Sequence, residues 1–115
     1  MTEAKAGPRG EQRAFPRKAV ELPVLVYDAG NRVRGAIRFD TRDLSLGGAF
    51  LRSDLLFEPG EELELEFELP SKLLVRARSK VVRVVRDGNP NDAGMGIAFL
   101  SLGDADAVRA FITGS

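Results

Sequence analysis

Cysteine and histidine are both absent from the 115 residues. Without cysteine there can be no disulfide, no thiolate metal site and no cysteine nucleophile. Without histidine the commonest general base and the commonest zinc ligand are missing, and Ser-His-Asp chemistry has no base. Carboxylate or lysine chemistry stays open on composition, yet no paired carboxylates stand in a recognisable pocket context. Tryptophan is absent and Tyr27 is the only tyrosine, so stacking along a nucleic-acid strand would fall to phenylalanines that a core needs. Lys and Arg total 17 against 17 Asp and Glu, which leaves no whole-molecule field to hold a long polyanion. No apolar run approaches the roughly 20 residues of a membrane span, and the polar start lacks the apolar stretch of a signal peptide. These absences predict a cytoplasmic chain that is not an enzyme, carries no metal or cofactor, binds no DNA or RNA and inserts into no membrane.

The length suits one domain with one core. Residues 1–11 are rich in Ala, Gly, Lys and Glu with no apolar period and read as a flexible tail. Residues 12–115 read as one domain. Charge is uneven along the chain, because Lys5, Arg9, Arg13, Arg17 and Lys18 crowd the amino end against Glu3 and Glu11.

The dominant hydrophobic period is two, the mark of strands buried on one face. Val20, Leu22, Val24 and Val26 share a face, Asp28-Ala29-Gly30-Asn31 supplies turn residues, and Val33, Gly35, Ile37 and Phe39 continue the pattern, which predicts a hairpin. From Glu62 to Leu69 the alternation is unbroken, with Leu63, Leu65, Phe67 and Leu69 inward and four glutamates outward. Pro59-Gly60 before it suits a type II turn, proline fixing φ at one central position and glycine accepting φ > 0 at the next. A long strand runs from about Leu73 to Arg86 and loses phase at Val81-Val82, where one extra residue would make a bulge. Met95 to Leu100 reads as a last strand. Ser101 and Asp104 then offer a capping pair to a short helix that carries Val108, Phe111 and Ile112 on one side and covers an open barrel end. The pattern is that of an antiparallel sandwich or barrel, and full closure would remove exposed edges.

Two features exceed the needs of a barrel. The first is Arg13-Ala14-Phe15-Pro16-Arg17 and the second is Asp43-Leu44-Ser45-Leu46-Gly47-Gly48. Arginines four apart are commonly solvated surface charges. They are also planar paired donors that match a phosphate or the O6/N7 edge of guanine, and Pro16 would stiffen their spacing. Asp43, Ser45 and Gly48 equally make a loop in which the side chains bond the backbone and glycine supplies conformational freedom. In a binding role Asp43 accepts from the N1 and N2 donors of guanine, Ser45 bonds phosphate or base, and Gly48 lets a ligand approach the backbone. A carboxylate among arginines favours a ligand with both a purine edge and a phosphate.

Other features read as surface. Glu62, Glu64, Glu66 and Glu68 form a solvated strand face rather than a metal or acid-base cluster. Arg76, Arg78 and Lys80, with Arg83 and Arg86 beyond, could form a basic stripe, but the strand acids are expected alongside as cross-strand partners. The glycines of Asp92 to Ile97 lack the lysine and spacing of a phosphate loop.

Taken in order and separated by one hairpin, the two motifs closely resemble the PilZ family, whose signature is R-x-x-x-R followed by [DN]-x-S-x-x-G. Arg13 and Arg17 match the first part, and Asp43, Ser45 and Gly48 match the second. Gly94 to Phe99 is similar to the family's last strand, and the likeness spans Gln12 to Gly114. The resemblance implies a mainly β fold, a six-stranded antiparallel barrel with a short C-terminal α-helix. It implies binding of the bacterial second messenger cyclic di-GMP, with candidate contacts Arg13, Arg17, Asp43, Ser45, Gly47 and Gly48. Gln12 stands where the family often has a further arginine, which leaves open one ligand molecule or a stacked pair. The Arg13 to Arg17 segment is expected to be loose without ligand and ordered by it, signalling to a protein effector in trans. Two other readings compete: a PilZ-like adaptor for pilus or motility machinery with little ligand affinity, and an unrelated oligonucleotide-binding barrel, disfavoured by neutral charge and scarce aromatics.

Overall fold

A computed structural model describes residues 15–28, 35–53, 57–86 and 92–114. Its elements are β1 (Arg17–Ala19), β2 (Pro23–Asp28), β3 (Ile37–Ser45), β4 (Gly48–Arg52), β5 (Glu62–Glu68), β6 (Leu74–Val85), β7 (Gly94–Leu102) and α1 (Ala105–Gly114). Strands β3, β2, β5, β6, β7 and β4 pair antiparallel in that order, and the β3–β4 pairing closes the ring. The expected six-stranded antiparallel barrel with a C-terminal helix is therefore present, with β1 added on the outside against β3.

Period-two patterning builds the interior. Leu65 and Phe67 of β5 stand opposite Ala77 and Val75 of β6 and share one buried cluster with Leu63 and Val81, where each large apolar side chain contributes about 1.5–3 kcal/mol by leaving water. On the outside, Glu62, Glu64 and Glu66 stand opposite Lys80, Arg78 and Arg76. Arg78 Nη2 lies 2.7 Å from Glu62 Oε1 and Arg76 Nε lies 3.3 Å from Glu66 Oε2. The stripe of bases is thus answered by the row of acids, as expected for a solvated face.

The turn before β5 is as predicted: Gly60 has φ +96° and Glu61 N–H donates to the Glu58 carbonyl at 3.1 Å. The bulge is also present. Val81 pairs with Ile97 and Arg83 with Gly96, so Val82 is the extra residue. A second irregularity makes Leu100 the extra residue of β7, so the phase change is shared by both strands.

The chain before the first turn differs from the single strand expected over Val20 to Val26. It is two strands, both on β3 but one register apart, with Arg17 opposite Ser45 and Pro23 opposite Asp40. Thr41 fills the break: its buried hydroxyl donates to the Val20 carbonyl and accepts from Leu22 N–H at 2.9 Å. Ile37, opposite buried Val26, is itself exposed, because β4 reaches along β3 only as far as Asp40. The residues expected at the hairpin turn beyond Asp28, the loop after β6 and the 1–11 tail lie outside the described residues.

Val108 and Ile112 of α1 join the barrel's cluster, and the helix rests on β1 and β3. Asp104 directly precedes it with φ +50°, while Ser101 remains in β7, so the expected capping pair does not form. Lys18 of β1 places its ammonium 5.2 Å from the centre of the Phe111 ring.

Candidate functional site

The β1–β3 ladder joins the two motifs. Arg17 is paired opposite Ser45 and Ala19 opposite Asp43, so residues 28 positions apart in sequence become cross-strand neighbours. Arg17 Nη1 lies 3.5 Å from Asp43 Oδ1, and Arg42 Nε lies 3.6 Å from Asp43 Oδ2. Both separations exceed an ordinary N–H···O hydrogen bond. The carboxylate is mostly buried between these two guanidinium groups at separations longer than a hydrogen bond, and a ligand edge can exchange with Arg17.

β3 turns into β4 through Ser45-Leu46-Gly47-Gly48. Ser45 Oγ accepts from Gly47 N–H at 3.1 Å and Gly48 N–H at 3.2 Å, and it donates to the Gly48 carbonyl at 3.3 Å. One proton and two lone pairs are all a hydroxyl has, so the turn engages Ser45 fully. At Gly48 a Cβ would collide with the Ile97 carbonyl oxygen, so its missing side chain lets β7 approach closely. Gly47 is the one over which the surface closes: a Cβ would come 2.8 Å from Phe15 Cδ2, because the Phe15 ring lies on it.

Arg17, Asp43, Ser45, Gly47 and Gly48 all line one groove of about 400 Å³. Arg13 and Gln12 lie outside the described residues. Phe15 forms part of the rim, Arg83 and Val82 of β6 contribute from the bulge, and Ile97 and Ala98 lie along β7.

Phe50 was not foreseen. It is 2% exposed yet belongs to the outside of the barrel, apart from the interior cluster that takes its neighbour Leu51. The Arg42 guanidinium lies 3.9 Å from its ring centre and that of Arg83 5.5 Å. Gly94 makes room for the ring, since a Cβ there would come 2.5 Å from Phe50 Cε1. No alternation announces such a residue, because β4 buries consecutive side chains on opposite faces. Among the described residues no acidic group is arranged to hold a metal ion, and no described helix is long and apolar enough to cross a membrane.

This constellation can grip an anion with guanidinium groups, accept from a base edge through Asp43 and cover a flat ring with Phe15. The PilZ domain family matches the chain over residues 11–114. The chain belongs to the PilZ domain family. PilZ domains are receptor and adaptor domains. Among solved structures, the Bacillus subtilis inhibitor of motility MotI/DgrA superposes with a TM-score of 0.74 at 23% identity, over 88% of this chain and 49% of that one. The chain therefore spans about half the length of that motility inhibitor. The PilZ domain of CeSA from a cellulose-synthesizing bacterium superposes with a TM-score of 0.57 at 20% identity, over 85% of this chain and 95% of that one. At these identities the likeness is one of fold. No curated protein matches the chain in sequence.

Proposed function

We propose that this PilZ domain is a receptor for cyclic di-GMP that acts in the cytoplasm by changing the surface it shows to a protein effector in trans. The observation that carries the reading is the β1–β3 register, which sets Arg17 beside Asp43 and opposite Ser45 in one groove. About 400 Å³ lies within the range of small-molecule sites, roughly 300–1,000 Å³. Arg17, joined by Arg13 from the same motif, takes phosphates and guanine O6/N7, and Asp43 accepts from guanine N1 and N2. Ser45 acts through the turn that it pins. No bond is made or broken in the ligand.

Calorimetric titration with cyclic di-GMP, beside GTP and cyclic AMP, tests this reading. Saturable binding of cyclic di-GMP alone, weakened in Arg17→Ala and in Asp43→Ala, is expected. Flat heats at about 100 µM ligand would end it, since useful signalling affinities lie near a Kd of about 1 µM, or 8 kcal/mol.

A second reading is a motility adaptor that works by protein contact without ligand. It is favoured by the fold shared with a motility inhibitor, and the flat titration would leave it standing.

A further inference from the structure

Two guanidinium groups stand at the Asp43 carboxylate, and a third, that of Arg83, lines the same groove. Arg17 and Arg42 flank Asp43. Arg83 has no ion pair among the described residues, yet it is not a wandering surface side chain. It stems from the bulge in β6, which turns it outward next to Val82. Its aliphatic part runs over Gly96, where a Cβ would come 3.0 Å from both Arg83 Cγ and Nε. Its guanidinium lies 5.5 Å from the Phe50 ring centre, within cation–π reach, and lines the same groove as Arg17 and Asp43.

A cation held by an aromatic face and a glycine keeps its donors free while its stem is fixed, so it loses less conformational freedom when an anion arrives. We propose that Arg83 is an additional ligand-binding residue that takes a phosphodiester of the nucleotide, and that the Phe50 ring is its seat. This rests on the cyclic di-GMP reading and adds to it a contact from β6, on the far side of the barrel sequence from either motif.

The test is a cyclic di-GMP titration of the native protein, Arg83→Lys, Arg83→Met and Arg83→Ala, each with its thermal midpoint. Methionine keeps an apolar stem over Gly96 and Phe50 but carries no charge. A charge-assisted contact predicts that Met and Ala variants bind about 10- to 100-fold more weakly, that Lys falls between them and the native protein, and that all variants stay folded. Native affinity in Arg83→Met would overturn the proposal while leaving the receptor reading intact. Absence of binding by the native protein would remove both.

Discussion

Gly48 of β4 lies so close under the Ile97 carbonyl of β7 that the two backbones leave no room for a Cβ. The glycine that ends the second motif is thus a barrel-closing residue that also borders the groove. Gly48→Ala should destabilise the domain by about 3 kcal/mol, the upper range for overpacking against atoms that cannot move aside. Gly47→Ala meets only the Phe15 ring, an exposed side chain able to swing away, and should cost less than about 1 kcal/mol. Urea denaturation of the two variants separates them, and equal midpoints would contradict the close approach.

Arg17 and Asp43 should both matter for binding, and Arg17 little for folding. Their pair is loose and Arg17 is 44% exposed, so Arg17→Ala should change stability by no more than about 1 kcal/mol, while Asp43→Ala, which removes a carboxylate 16% exposed between two guanidinium groups, should cost about 1–3 kcal/mol. Cyclic di-GMP affinity should fall at least about tenfold in each variant, the loss expected for one charge-assisted contact. Variants that bind normally would move the site elsewhere.

Ser45→Ala should behave differently from Arg17→Ala. It leaves Gly47 N–H and Gly48 N–H without their acceptor at a largely buried turn, at a cost of about 1–3 kcal/mol. Any loss of ligand affinity should accompany a lowered thermal midpoint. A large affinity loss at unchanged stability would instead mean direct contact between the hydroxyl and the ligand.

Lys72 closes the β5–β6 hairpin with φ +77°, its N–H donating to the Leu69 carbonyl at 2.8 Å. A side chain in that region costs about 1–2 kcal/mol, part of which glycine returns as chain entropy. Lys72→Gly should raise stability by up to about 1 kcal/mol, and a lowered thermal midpoint would show that the lysine side chain is needed there.

The amino-terminal motif should become more protected when ligand binds. Phe15 touches Gly47 from an exposed position, and β1 offers only three residues of ladder, so ordering by ligand is expected to slow amide exchange across residues 12–18. Equal exchange with and without saturating cyclic di-GMP would rule out the switch.

Much of this was legible in the residues themselves. Strict alternation in β5, the Pro59-Gly60 turn, the phase loss at Val82 and the helical spacing of Val108 and Ile112 are local signals, because side-chain direction along a strand or helix follows from backbone geometry alone. The two motifs were equally plain as spacings, and they marked Arg17, Asp43, Ser45, Gly47 and Gly48, which line one groove. What spacing could not supply was the partner of each residue. That Arg17 meets Ser45 depends on a register shifted by one residue at the break that Thr41 bridges. That Gly48 admits β7, that Phe50 is buried on the outside wall, and that the Arg83 guanidinium comes within 5.5 Å of its ring centre are facts about strands distant in sequence. The sequence by itself determined which faces turn inward, where the chain turns and which motifs it carries. Only barrel closure decided which side chains share a surface, since cross-strand neighbours are chosen by register and curvature, and those arise from the packing of the whole sheet.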